Sequence, residues 1–564
     1  MNRELIPRVL TAVVVLLVVQ RFAYHATYLA ENPFALGTFS DGGLYERAAT
    51  DLVEHPPWGT RPFYLQGIYS VLLALPMPWK AGPAGGLLLQ LLIVGLGLFA
   101  FHRACRWMYG HNVGAGCTIV LLAYPGLAFY ENKFLTAGIA EASLCFMLLA
   151  LVWMCREPRW WAAVGFGVAT GFAILARGNM VLGLPAFGIA VYLLGRHHQR
   201  ARGTIAAWVL GVLVALAPMA LRNAVVTGSP TIFPAHGGGT SFYIGNNAAS
   251  KGVWNSAGGL LSGDVGRERD ELVEKLGIPE GTEAEQAAAI GRALYQRAFA
   301  EMGEDPGRWL HLEAKKVWLL TGNQELAQDY DALGEAELVG YIREFGLPFS
   351  VLLALGLCGV AAVRWPRDST RGDAESEPPT IDTDTSAFRR AWLWTLGGMA
   401  VAVLAANILF FTSAQHRVPL AVVLGAFAGP GAVWAMARAR GVEWPTYKRV
   451  GLILIVSAVV AQGWASRARV RERPSAAHYH NLALVQVELG DPRGAVVTLS
   501  LALEYRPEHP VIRIERASLF RKLGRFELAA TDLDILDAQP DKPAWVVARM
   551  HHERQWLAAF AKVR

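Results

Sequence analysis

The chain has 564 residues, 53% of them apolar and 17% charged, with a mean hydropathy of +0.30. A soluble globule needs more polar surface, so the composition excludes one and requires a multi-span membrane protein. The formal net charge of +6 is no nucleic-acid signal, because the arginines sit in short clusters between apolar runs.

The first apolar run, about residues 8–28, follows Arg3 and Arg8 and resembles the start of a signal peptide. No small-residue cleavage motif follows clearly and many spans come later, so it reads as span one. About ten further stretches have membrane-crossing length, given about 20 residues per span. They lie near 85–104, 112–129, 134–154, 160–176, 179–195, 204–221, 346–363, 391–411, 418–437 and 450–465. Short or proline-containing spans can still cross, since tilt and neighbouring helices compensate. The clusters at Arg103/Arg106, Arg156/Arg159, Arg196/Arg200/Arg202, Arg364/Arg367/Arg389/Arg390 and Arg438/Arg440/Lys448/Arg449 then share one side with Arg3 and Arg8. That side is cytoplasmic. Cys105, Cys117, Cys145, Cys155 and Cys358 lie in or near apolar runs without metal-ligand spacing, so neither a disulfide framework nor a zinc site is indicated.

Three segments fall outside: about 29–84, 222–345, and the tail from about 466. The second has helical periodicity around Glu283–Ala300 and Trp309–Leu320 and should fold as a helical cap. The cytoplasmic loop 366–388 is rich in Pro, Thr and Asp and is expected to be disordered. In the tail, Ala483, Leu489-Gly490, Ala495 and Leu499 recur about 34 residues later as Ala517, Leu523-Gly524, Ala529 and Leu533. This pattern resembles the tetratricopeptide repeat (TPR), with a further helix near Pro543 as a cap. Such a surface binds a protein partner or merely braces the outer loops.

Candidate chemistry gathers at the outer mouths of the spans. Asp41, in Phe39-Ser40-Asp41-Gly42-Gly43-Leu44-Tyr45, reads as a general base for an acceptor hydroxyl. The plainer alternative is an N-cap for a helix starting at Gly42. Glu131 and Lys133 sit in the next outer hairpin: a second acid to bind a metal or steer the acceptor, and a cation for a donor phosphate. A hairpin that simply needs polar residues is the alternative. Glu141, inside a span, needs a partner, a cationic side chain such as Arg177. Arg177, Asn179, Arg222, Asn223 and Arg417 stand on the side depleted of positive charge. A phosphate head group would account for them, as would snorkelling to lipid headgroups. Gly237-Gly238-Gly239 with Tyr243, Asn246 and Asn247 reads as a glycine-rich contact for sugar or phosphate, or as a tight turn without ligand. It lacks the lysine and serine of a nucleotide loop.

Asp41 with Tyr45 and Ala49, then Glu131, Arg177-Gly178-Asn179, Tyr243-Ile244-Gly245-Asn246-Asn247 and His416-Arg417-Val418-Pro419-Leu420 together resemble the GT-C superfamily of polytopic glycosyltransferases. The nearest types are the bacterial mannosyltransferases and aminoarabinose transferases (PMT-like, family 39/83). The resemblance covers about residues 1–465. It implies an all-α GT-C-like helical bundle of about 11 spans, with 222–345 as a helical exocytoplasmic loop domain and 466–564 as a TPR-like α-solenoid. It further implies a membrane glycosyltransferase of the bacterial cytoplasmic (inner) membrane, using a polyprenyl-phosphate sugar at the outer face of that membrane. Asp41 would be the catalytic base and Glu131 the second acidic site. Lys133, Arg177 or Arg417 would contact donor phosphate. Gly42 follows Asp41 where many relatives carry another acid, and no Asp-Glu pair or Asp-x-Asp follows in that loop. Dependence on a divalent cation (Mg or Mn) therefore stays open, and no other cofactor is implied. Partners are the lipid-linked sugar, membrane lipid and a protein held by the tail; nucleic acid is not among them. The rivals are a flippase or secondary transporter, which would show inverted repeats, and a non-catalytic assembly protein.

Overall fold

A computed structural model describes residues 5–79, 82–234, 237–254, 268–339, 346–363, 386–439, 456–463, 475–540 and 542–561. Among these residues there is no strand; the chain is all-α. Among the described residues seven helices are long and apolar enough to cross a membrane, or eight if one bent pair counts as a span. The membrane-embedded part contains α1 (Leu5–Glu31), α4 (Gly82–Tyr109), α5 (His111–Leu122), α6 (Pro125–Glu131), α7 (Ala137–Arg156), α8 (Trp160–Ala176), α9 (Leu184–His197), α10 (Ala201–Thr227), α16 (Phe349–Val363), α17 (Ser386–Leu409) and α18 (Val418–Ala439). The short helices α2 (Ser40–Glu54) and α3 (Gly67–Ala74) lie between α1 and α4.

The expected count of about eleven spans is reduced in two ways, and one further expected span is not tested. The run 112–129 breaks into α5 and α6, which meet at 66°. Pro125 starts α6, and Tyr124 before it is extended (φ −81°, ψ 111°), as a residue before proline must be. The apolar helices at 160–176 and 349–362 are shorter than a full crossing. The run 450–465 falls largely outside the described residues, as does the 366–388 loop up to residue 385. Residues 386–388 open α17 rather than a disordered stretch.

Helices α7 and α18 are the most enclosed of the crossing helices, whereas α1 presents Val15, Leu16, Val19 and Phe22 outward. In lipid, close helix approach depends on small residues. Helix α10 lies so near α8 that a Cβ on Gly211 would collide with the Val164 carbonyl. Gly431 of α18 likewise meets the backbone of α16 at Leu355.

The segment after α10 forms a helical cap of α11 (Gly237–Asn246), α12 (Glu268–Leu276), α13 (Glu283–Glu304), α14 (Pro306–Thr321) and α15 (Ala332–Leu338). Its small core joins Phe242, Leu272, Ile290 and Leu294 to Phe411. Thr282 and Glu285 form a capping box at the start of α13. The tail forms α19 (Ala476–Glu488), α20 (Pro492–Tyr505), α21 (Pro510–Lys522), α22 (Phe526–Asp537) and α23 (Ala544–Ala561). The turns of its first two helix pairs hold Gly490 (φ +82°) and Gly524 (φ +72°), left-handed positions that favour glycine.

Candidate active site

Asn32 caps the short 3₁₀ turn after α1, and the chain then enters α2 from an extended Phe39. Helix α2 begins at Ser40, and its N-cap Phe39 makes no side-chain cap bond, so Asp41 is not the N-cap. Ser40 holds a left-handed backbone (φ +48°), a strained state for a residue with a Cβ. Its Oγ donates to Asp329 Oδ1 at 2.6 Å. The buried face of α2, Gly42, Tyr45 and Ala49, anchors the helix. Tyr45 meets Tyr69 edge-on, with centroids 4.7 Å apart, and donates to Gln66 Oε1 at 2.7 Å.

The Asp41 carboxyl hydrogen-bonds with that of Asp329, from the segment just before α15. Burial pushes Asp329 up to about 6, against the opposing effect of hydrogen bonds with Ser40 and Asp41. Two carboxyls so close cannot both ionise readily, so the pair tends to hold one proton. Arg177 closes the site. It terminates α8 in an extended conformation and lies near enough to Asp41 and Tyr45 to feel both. Its Nε is buried without a partner, and among the described residues its guanidinium makes no hydrogen bond or ion pair. Among the described residues no group of three or more His, Cys, Asp or Glu converges as a metal cage. Asp41 and Asp329 are the carboxylates available to a divalent ion, whose other oxygens would come from water or a phosphate.

The other sequence candidates lie elsewhere. Glu131 is fully buried and takes Arg21 through both oxygens at 2.7 Å, with His25 Nε2 at 2.9 Å. Glu141 sits beside this cluster and not, as expected, against Arg177. Lys133 donates to Glu335 at 2.7 Å and lies 3.9 Å from the Tyr28 ring centroid and 4.3 Å from that of Phe129. Burial lowers its pKa to about 8, with Glu335 opposing. Arg417, also fully buried, donates to the carbonyls of Gly322 (2.6 Å) and Gln324 and pairs with Glu325 at 3.3 Å. Asn179 ties its turn to α17 through the Ala402 carbonyl at 2.8 Å. Arg222 stacks over Phe63 at 3.7 Å and binds the Trp58 carbonyl, while Asn223 binds that of Thr231.

The glycine-rich motif is a helix rather than a loop. In α11, Gly239 and Gly245 allow contact with the backbones of Gly291 and Phe410. Tyr243 donates to Glu301, and Asn246 receives Lys316 and donates to Leu409 O. Asn247 closes the end of α11 onto Tyr243 O. These side chains are occupied by the cap's own packing.

Two cavities are relevant, one along α2 and one among the membrane helices. A cleft of about 660 Å³ runs along α2, lined by Leu44, Arg47, Asp51, Arg61, Asp270 and Glu488. Asp41 is one turn ahead of Leu44 on the same helix, at the edge between its buried face and its cleft face. An apolar groove of about 500 Å³ lies among α16, α17 and α18, lined by Leu357, Trp394, Leu404 and Phe427. Sequence reasoning missed Ser40 and Asp329, which face each other across 289 residues.

No protein-family model matches the chain, and no curated protein does. Among solved structures, it is similar to the archaeal oligosaccharyltransferase AglB from Archaeoglobus fulgidus, in complex with an inhibitory peptide and a dolichol-phosphate. That likeness has 14% identity and a TM-score of 0.35, covering 81% of this chain. The chain spans about half that protein's length, 55%. It is also similar to ArnT from Cupriavidus metallidurans bound to undecaprenyl phosphate, with 14% identity and a TM-score of 0.31, covering 73% of this chain and 78% of that one. A likeness at this level transfers neither fold nor activity.

Proposed function

We propose that this chain is a GT-C-type membrane glycosyltransferase that moves a sugar from a polyprenyl-phosphate donor to an acceptor at the outer face of a bacterial inner membrane. The observation that carries the reading is the Asp41–Asp329 carboxyl pair near the Arg177 guanidinium, which has no hydrogen-bond or ion-pair partner among the described residues, at one end of a membrane bundle. The arginine clusters of the connecting loops put the opposite end in the cytoplasm. The N-terminus is then cytoplasmic, and the cap and tail are exocytoplasmic.

In this reading Arg177 binds the donor phosphate through its planar fork and stabilises the charge that develops on it as the sugar leaves. Asp41 takes the proton of the acceptor hydroxyl as that oxygen attacks the anomeric carbon. The carbon–oxygen bond to phosphate breaks, and polyprenyl phosphate departs with the bonding electron pair. A single displacement inverts the anomeric centre. A proton held within the carboxyl pair would occupy the oxygen that must accept the hydroxyl proton, so Asp41 serves as base once that proton is lost. The groove among α16, α17 and α18 suits part of the polyprenyl chain, and the polar cleft along α2 suits the acceptor.

Glu131, Lys133, Arg417, Tyr243, Asn246 and Asn247 hold the scaffold in this account and touch no substrate. The tail is read as a TPR-like solenoid, 466–564, set on a GT-C-like domain, 1–465. Sugar transfer by membranes carrying Asp41→Asn tests the assignment, with polyprenyl-phosphate sugars as donors. A loss of about 100-fold or more is expected; full transfer would remove Asp41 as the base.

A further inference from the structure

Helix α19 has two buried stripes, whereas a helix at the end of a free-standing repeat needs only one. Ala476, Tyr479 and Ala483 pack into the tail's own core. Leu482 and Val485 belong instead to the main core of the membrane part. Around this second stripe, at helical spacing, run Ser475, His478, Asn481 and Glu488. Each meets the segments that carry the carboxyl pair. The Ser475 amide donates to Asp331 Oδ2 at 2.9 Å, and His478 packs edge-on to Phe34 with centroids 5.8 Å apart. Val485 and Glu488 close on Gly37, ahead of α2. Tyr479, at the margin, donates to Glu337 at 3.1 Å. Asn481 donates from Nδ2 to the main-chain carbonyl of Asp329 itself at 2.9 Å.

The stretch 326–331 has no helical hydrogen bonds of its own to fix it. It is held from outside: Ala414 N donates to Leu326 O at 3.0 Å, Gln415 donates to Gln328 at 2.5 Å, and Asn481 holds the Asp329 carbonyl. The first two ties come from the membrane part; the tail supplies Asn481 and, two residues on, the Ser475 amide on Asp331. At Asp329 itself Ser40 holds the carboxyl and Asn481 of the tail holds the main chain.

We infer that the C-terminal helical unit completes the reaction site, with Asn481 as a positioning residue that fixes Asp329 against Ser40 and Asp41. The inference rests on the reading of the carboxyl pair given above. It makes the tail part of the enzyme's working geometry rather than an appended adaptor. Glu488, on the same stripe, lines the cleft along α2, so the tail also shapes the acceptor's approach.

The test uses full-length Asn481→Ala in nanodiscs, with Val487→Ala, on the exposed side of α19, as control. Donor turnover should fall about 10- to 100-fold with donor KM little changed, since misplacing a reacting group costs rate rather than ground-state binding. The acid limb of the pH–rate profile should move upward, because the Ser40 hydrogen bond that opposes the rise in the Asp329 pKa is loosened. Amide hydrogen exchange over 326–337 should quicken in Asn481→Ala and not in Val487→Ala, and this readout needs no substrate. Unchanged exchange together with unchanged rate and pH profile overturns the inference while leaving the carboxyl pair's role intact. If instead Asp41→Asn and Asp329→Asn both retain full transfer, the reading of the reaction fails, and exchange alone then decides whether α19 fixes the segment.

Discussion

Lys133 and Arg177 look alike in sequence, two cations near the outer mouths of spans, yet their surroundings predict opposite behaviour. Lys133 is fully buried against Glu335, itself almost sealed, and under two aromatic rings. Lys133→Met removes one partner of a buried pair and leaves the Glu335 carboxyl without its cation. Breaking a pair this way costs about 3–5 kcal/mol, because the remaining charge stays desolvated. Neutralising both ends in Lys133→Met/Glu335→Gln removes that penalty, and Asn32 still donates to the surviving oxygen, as it now does at 3.1 Å. The double variant should therefore regain most of the lost stability. Among the described residues the Arg177 guanidinium has no hydrogen-bond or ion-pair partner to abandon, so Arg177→Met should cost little stability. It should raise the donor KM about 10- to 100-fold through loss of a charge-assisted contact. Thermal unfolding of the purified proteins in one detergent, followed by tryptophan fluorescence, measures the first effect; steady-state transfer measures the second. A stable Lys133→Met protein with a raised donor KM, beside an unstable Arg177→Met protein, would refute the assignment of both.

Transfer should rise with pH through about 6, where the carboxyl pair loses the proton that blocks its function, and Asp329→Asn should flatten that limb. Stability should run the other way. The folded Asp329 carboxyl titrates above its unfolded value, so its contribution is full below about pH 4 and is lost as pH rises through about 6, measurable as a denaturation midpoint. Gly245→Val should impair folding of the cap, since any Cβ there meets the Phe410 backbone, with a cost of about 1–3 kcal/mol or more. Asn247→Ala should leave donor KM unchanged, because that amide serves the end of α11; a large KM change would restore the motif as a ligand contact.

The membrane helices were legible because apolar length is a local property. The break at Pro125 was legible in principle, since proline forbids a continuous helix, but hydropathy summed over a window passes across it. Asp41 stood out as an acid shortly after a span. Its partner did not, because Asp329 reaches it only through a fold that joins segments 289 residues apart at Ser40. The glycine-rich motif misled for a physical reason. Small residues permit close approach to anything, and here the thing approached is another stretch of backbone rather than a ligand. The buried cations announced a need for counter-charges, yet whether these came from substrate or from Glu335 and Glu325 is tertiary information. The tail's helix pairs followed from their repeat. The second stripe of α19 could not be separated by pattern from ordinary repeat packing.

The central claim is that Asp41, Asp329 and Arg177 form one phosphate-facing site. An electron cryo-microscopy map of the protein with polyprenyl phosphate in nanodiscs tests it most directly. The account predicts phosphate density within about 4 Å of the Arg177 guanidinium, an ion-pair distance, on the side of the carboxyl pair, with the lipid chain leading toward the groove among α16, α17 and α18. Phosphate seated instead at the bundle's opposite end, beside Arg196 and Arg200, would contradict it.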